Sequence, residues 1–110
     1  KDVEKSDIVK KAILYIHQNY NDPELTMNAL SEYLQVSSVT LSIEFKSEME
    51  VKPSEYLANL RMEKSKELLR STDMLVKDIS VAVGYEDVVS FVRRFKKYAG
   101  MTPGQYREGV

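Results

Sequence analysis

The stretch Ser37-Ser38-Val39-Thr40-Leu41-Ser42-Ile43-Glu44-Phe45-Lys46-Ser47-Glu48-Met49-Glu50-Val51-Lys52-Pro53-Ser54-Glu55-Tyr56 has a counterpart later in the chain, from Asp87 to Tyr106. In it Leu41, Phe45, Lys46, Pro53 and Tyr56 return as Phe91, Phe95, Lys96, Pro103 and Tyr106, all at an offset of 50. Ser37 pairs with Asp87 at the same offset, so both copies place an N-cap oxygen four positions before the first large apolar anchor. Upstream, Leu30, Ser31 and Leu34 match Ile79, Ser80 and Val83 at an offset of 49. One residue is therefore gained in the second turn, where Gly84 can take a positive φ. Short amphipathic helices resemble one another by chance, but chance would also have to reproduce the paired Pro and Tyr. The chain reads as an internal duplication.

Each copy carries the pattern of two short helices. Thr26 is a candidate N-cap for a helix with Ala29, Leu30, Tyr33 and Leu34, and Ser37 for a next one with Leu41, Phe45 and Met49. Only Gln35 and Val36 lie between them, which predicts a helix-turn-helix rather than a long bundle hairpin. Ahead of this, Val9, Ala12, Ile13, Ile16 and Tyr20 recur at helical spacing, predicting an amphipathic helix that ends near Asn19 to Pro23. Pro53, whose missing N–H costs nothing at a helix start, opens a longer segment with Leu57, Ala58, Met62, Leu68 and Leu69. That segment is the expected central helix. From Ser54 to Arg70 it would span roughly 25 Å at about 1.5 Å per residue. Successive major-groove openings on one face of a duplex lie about 34 Å apart, so it can hold two recognition helices a turn of DNA apart. No period-two alternation is sustained, and the β-branched run from Val81 to Val89 is broken by Gly84 and charges, so the expected class is all-α.

With 110 residues and 43% apolar content, the chain fits one compact domain with a modest core. There is no Cys and a single His, which excludes disulfide frameworks and any metal site built from several imidazoles or thiolates. No cofactor is expected, and the composition fits a reducing cytoplasm. No apolar run approaches the roughly 20 residues a membrane span needs, and no signal peptide opens the chain. Lys1 in place of Met suggests a piece of a longer protein, with any sensing domain outside it. A net charge of −1 argues against indiscriminate nucleic-acid binding, but its distribution is uneven. Seven acidic residues from Asp22 to Glu55 face only Lys46 and Lys52, whereas Val88 to Arg107 holds five basic residues and no acidic one.

The run Asp78-Ile79-Ser80-Val81-Ala82-Val83-Gly84-Tyr85-Glu86-Asp87, with Phe91, Arg93, Phe95-Lys96-Lys97, Gly100, Thr102-Pro103 and Tyr106-Arg107, resembles the DNA-binding domain of the AraC family of bacterial transcription regulators. The first half joins through Leu30, Ser37, Leu41, Phe45-Lys46, Tyr56, Arg61-Met62 and Leu68-Leu69, so the resemblance covers about residues 8 to 107. It implies one such domain over 1–110: a first helix-turn-helix subdomain over about 8–52, a connecting helix over 53–70 and a second subdomain over 71–110. It also implies about seven helices, the third and sixth entering adjacent major grooves of double-stranded DNA. Tyr15-Ile16 and Asn19-Tyr20 look like members fused to response-regulator receivers, which adds a receiver or sensor domain and RNA polymerase as expected partners.

Carried over position by position, the resemblance makes Val39, Ser42 and Ile43 groove-facing in the first recognition helix, and Val88, Val89, Val92 and Arg93 in the second. Among them Arg93 has the fork that reads guanine O6 and N7, a pairing that discriminates by about 1–3 kcal/mol. The valines and Ile43 suit thymine methyls. Phosphate contacts are expected from Ser37, Ser38, Lys46, Arg94, Lys96, Lys97 and Arg107. There are departures. Ile43 stands where the family commonly has Arg, Glu50 where it has Gly, and Ser31 and Ser80 where it has Ala, while Glu44 and Glu48 would flank phosphate.

Other features carry plainer expectations. Phe45, Phe91, Phe95, Tyr56 and Tyr106 share helical spacing with leucines and are expected in the core. Arg61 falls with Ala58, Met62 and Ser65 on the inner face of the central helix, where it needs a carboxylate partner or must snorkel to water; a phosphate contact is its alternative role. His17, without a second ligand, is expected to be structural. No Gly-rich phosphate loop, nucleophile constellation or metal cluster supports an enzyme. Two readings stay open. Either both helix-turn-helix units read DNA, or the second alone does and the acidic first unit is a protein-interaction surface. Activation or repression depends on where the site lies relative to polymerase.

Overall fold

The computed structural model describes residues 6–109 and contains seven helices: α1 (Asp7–Asn19), α2 (Met27–Leu34), α3 (Ser38–Met49), α4 (Pro53–Ser71), α5 (Val76–Ala82), α6 (Val88–Ala99) and α7 (Pro103–Gly109). No strand occurs among the described residues. The helices form two compact units. The first takes the chain up to Asn19 together with Glu24–Ala58; the second takes Tyr20–Pro23 and the chain from Asn59 onward. The chain passes from the first unit to the second inside α4.

In the first unit α1, α2 and α3 pack on one another. Their apolar stripes supply Val9, Ala12 and Ile16 from α1, Leu30 from α2, and Leu41 and Phe45 from α3, all buried, while Leu57 and Ala58 close the core from α4. Spacings of three and four put these side chains on one face of each helix. In the second unit Met62, Leu69, Ile79, Val83, Phe91 and Phe95 form the core. Complete burial of each phenylalanine contributes roughly 1.5–3 kcal/mol.

The duplication extends to ring geometry. Phe45 meets Tyr56 edge-on at 5.6 Å and 75°, and Phe95 meets Tyr106 edge-on at 5.7 Å and 71°. Edge-to-face pairs are favoured because a positive ring edge meets a negative ring face. Phe45 and Phe95 are fully buried core residues, as their spacing predicts, whereas Tyr56 and Tyr106, expected there too, are half-buried at its edge with their hydroxyls turned to polar partners.

The caps explain where the helices start. Thr26 accepts a hydrogen bond from the Ala29 N–H, Ser37 from Thr40 and Asp87 from Ser90. Ahead of α7, Thr102 Oγ1 accepts from the Gln105 N–H while Gln105 Oε1 accepts from the Thr102 N–H, a reciprocal capping box. The two interhelical turns are also related. Val36 N–H donates to the Ser31 carbonyl, and Tyr85 N–H donates to the Ser80 carbonyl. Gln35 holds the left-handed conformation in the first turn at φ 59°, and Gly84 does so in the second at φ 102°. A Cβ on Gly84 would lie 2.5 Å from the Tyr20 carbonyl oxygen, so the second turn excludes a side chain on two grounds.

Candidate nucleic-acid interface

Burying Leu41 and Phe45 turns the opposite face of α3 to solvent. Val39 and Ile43, one helical turn apart, are 65% and 64% exposed, and Lys46 and Ser47 follow on the exposed side. Ser42 is half-buried beside them. Two shallow grooves flank this ridge. One, of about 300 Å³, is bounded by Met27, Val39, Ser42, Ile43 and Pro53; the other, of about 370 Å³, by Ser42, Ile43, Lys46, Ser47 and Lys52. Lys52 escapes a reading of helical periodicity because it lies in the turn beyond α3.

Burial of Phe91 and Phe95 orients α6 in the same way. Val89 is 61% exposed, and Arg93, Arg94, Lys96 and Lys97 are exposed. Val88 is half-buried, and Val92 packs partly against the core of the unit, so less of it than of Val89 is free to meet a ligand. The Tyr85 hydroxyl is held above its ordinary pKa by burial, against the opposing pull of the Arg94 and Arg61 charges. At the start of α6 the Asp87 carboxylate accepts from the Ser90 N–H at 2.8 Å and from the Ser90 hydroxyl at 2.9 Å. These bonds, led by the backbone one, and the charge of Arg93 hold Asp87 below its ordinary pKa. The cap of α3 is the neutral Ser37, whose hydroxyl is engaged with Thr40; Ser37 and Ser38 are both exposed.

Three side chains depart from the sequence expectations. Glu48 does not simply flank the solvent face: its carboxylate accepts the Ser6 N–H at 2.8 Å, ahead of the first turn of α1. Arg107, expected on phosphate, donates to the carbonyls of Leu69, Met74 and Thr72 at 3.1, 2.7 and 2.9 Å. A guanidinium supplies five N–H donors in a fixed fork, and these bonds tie α7 to the end of α4 and the turn after it. Arg61 donates to the Tyr20 carbonyl at 2.8 Å and the Asp22 carbonyl at 3.0 Å, and lies 5.5 Å from the centre of the Tyr85 ring. Burial lowers its pKa, partly offset by Tyr85 and by the Asp22 carboxylate. Its main partners are thus backbone oxygens, a class that sequence spacing does not reveal. His17 is structural as expected, hydrogen-bonded to the Tyr56 hydroxyl at 2.8 Å.

A second polar cluster, not anticipated from sequence, lies on α4, α6 and α7 within the second unit. Tyr98 donates to the Glu63 carboxylate, Lys66 stands over the rings of Tyr98 and Tyr106 at 5.4 and 5.5 Å, and Arg70 donates to the Tyr106 hydroxyl at 2.6 Å. Among the described residues no group of acidic residues, His or Cys could hold a metal, and no helix is long and apolar enough to cross a membrane.

The sequence profile of a helix-turn-helix domain matches residues 30–109. The C-terminal domain of AraT, a response regulator from Geobacillus stearothermophilus, superposes with a TM-score of 0.95 at 37% identity, covering 98% of this chain and 89% of that one. The C-terminal domain of the two-component response regulator yesN from Fusobacterium nucleatum does so with a TM-score of 0.89 at 41% identity, covering 93% and 99%. The raffinose operon transcriptional regulatory protein RafR of Pediococcus pentosaceus is 32% identical over 108 residues, which are 98% of this chain but 39% of RafR. The chain thus spans well under half the length of that regulator. Its seven helices, its duplicated turns and these likenesses agree: the chain belongs to the AraC family of helix-turn-helix DNA-binding domains.

Proposed function

We propose that this domain docks on duplex DNA through the solvent faces of α3 and α6, each entering the major groove, and that α6 supplies most of the sequence reading. The observation that carries this is the pair Ile43 and Arg93. They are equivalent positions of the duplication, both exposed, and one is apolar where the other has a guanidinium. On α6, the guanidinium of Arg93 suits a bidentate pair with a guanine edge, while Lys96 and Lys97 beside it suit phosphate. On α3, Val39, Ser42 and Ile43 present apolar and hydroxyl groups, with Lys46 as the phosphate contact. Ser37, Ser38 and Arg94 complete the phosphate set. Arg107 is left out of it because its donors hold α7.

The likeness to C-terminal domains of response regulators supports a further step: the domain is the output end of a transcription regulator whose receiver precedes it. The full-length regulator would then bring RNA polymerase and its receiver within reach of the same promoter. As a DNA-binding domain, the chain is not an enzyme.

The test is selection of bound duplexes from a random pool, followed by fluorescence-anisotropy titration of the selected and scrambled sites with wild type and Arg93→Ala. Loss of discrimination in the variant supports the assignment. Equal discrimination by both proteins removes Arg93 from the reading role.

A further inference from the structure

The solvent face of α3 lacks the guanidinium and amide forks that read base edges bidentately, and carries apolar groups suited to reading methyls. Its side chains are Val39, Ser42, Ile43, Lys46 and Ser47, with no guanidinium and no amide among them. Bidentate recognition of guanine by Arg, or of adenine by Asn or Gln, is therefore absent from this set. Val39 and Ile43 lie on one face, are each about two-thirds exposed, and are not needed by the core, which Leu41 and Phe45 fill. Exposed β-branched side chains are stiff at χ1, so they form a ridge of fixed shape. Ile43 borders both of the shallow grooves on this face.

In the major groove the one apolar feature of a base edge is the C5-methyl of thymine. We infer that the first unit reads pyrimidine C5-methyl groups through Val39 and Ile43, so that it separates thymine from uracil and 5-methylcytosine from cytosine at the positions α3 covers. This rests on the docking proposed above. It goes beyond it in naming a chemical group that the first unit recognises and in predicting sensitivity to base methylation. Lys46 and Lys52 border the groove beside Ile43 and suit the phosphates on either side. The second unit is built differently: Val89 repeats Val39, but Arg93 replaces Ile43.

The experiment uses the selected duplex, resynthesised with deoxyuridine for one thymidine at a time, and anisotropy titrations with wild type, Val39→Ala and Ile43→Ala. Exposed positions tolerate alanine, and unchanged urea midpoints would verify that the variants fold. At about 0.8 kcal/mol per buried methyl-sized group, removing one contacted methyl lowers wild-type affinity roughly three- to fourfold. The same replacement has no further effect in the variant lacking the side chain that touched it. Cytosine placed at that position gains affinity on C5-methylation in wild type and not in that variant.

One outcome overturns the inference while leaving the docking intact: every uracil replacement is silent although selected and scrambled duplexes are still discriminated. α3 variants that bind DNA like wild type overturn the inference together with the docking of α3 and give this face to a protein partner, leaving α6 alone on the duplex. Failure to discriminate any duplex overturns the docking itself.

Discussion

Glu50 and Gly100 close α3 and α6 in the same left-handed conformation, at φ 67° and 81°. Both N–H groups donate to the carbonyl of the lysine four residues earlier, Lys46 and Lys96, at 2.8 Å. The backbone geometry is shared, but only one of the two residues suits it. A Cβ in the left-handed region is unfavourable by about 1 kcal/mol. Glu50→Gly should therefore stabilise the domain by roughly that amount, offset in part by the greater freedom of glycine in the unfolded chain. Urea unfolding checks it, with a raised midpoint at unchanged slope as the expected result.

Gly84 presents the opposite case. A Cβ there meets the Tyr20 carbonyl at 2.5 Å and Arg61 Nε at 2.9 Å, at a φ that side chains rarely adopt. Gly84→Ala should destabilise by about 2–3 kcal/mol, more than the 1 kcal/mol expected from φ alone, because the carbonyl is held by Arg61 and cannot give way cheaply. The same urea series measures it. A loss of under about 1 kcal/mol would show that the Tyr20 segment moves aside.

The Tyr98 hydroxyl is raised from 10.0 to about 12, first by its hydrogen bond to Glu63, then by burial and by the Glu63 charge. A group whose folded pKa is raised stabilises the fold fully below its unfolded value, and this contribution fades as pH climbs from about 10 towards 12. Ultraviolet titration of tyrosinate should show, beside the half-buried Tyr85, a late-ionising ring that belongs to Tyr98. That ring should return towards the ordinary value in Glu63→Gln and vanish in Tyr98→Phe. Because Tyr98 is exposed in part, the accompanying change in stability should be small.

Lys96 and Lys97 should act on affinity without choosing sequence. Lys97→Ala should weaken binding to selected and scrambled duplexes alike and reduce the slope of log K against log salt by about one if it neutralises one phosphate. Lys46→Ala on α3 gives the sharper comparison. A similar drop in slope places both units on the duplex, whereas no change leaves the grip to the second unit alone. Anisotropy titrations at several salt concentrations decide between them.

Much of this architecture is written in local spacing. The stripes Leu41–Phe45 and Phe91–Phe95, the caps Thr26 and Ser37, and the glycine turn at Gly84 all follow from interactions within one or two helical turns, and each is where the periodicity puts it. The exposed positions on α3 and α6 follow from the same stripes by exclusion. Other features depend on distant chain. Arg61 finds its carbonyl partner 41 residues away, Arg107 holds oxygens 33 to 38 residues back, and Glu48 reaches Ser6 across 42 residues. The start of α5 was also hidden, because Leu75 at its N-cap has no side-chain oxygen to mark the boundary.

The short linker Tyr20–Pro23 belongs to the second unit although the helices on both sides of it belong to the first. Arg61 grips its carbonyls, and the turn at Gly84 closes against it. The halves are interleaved along the chain, so no single cut releases them whole. A fragment beginning at Asn59 would leave Arg61 without its acceptors and Gly84 without the carbonyl it faces. Exchanging recognition units between relatives is therefore a three-piece graft, in which the loop after α1 must travel with the C-terminal half.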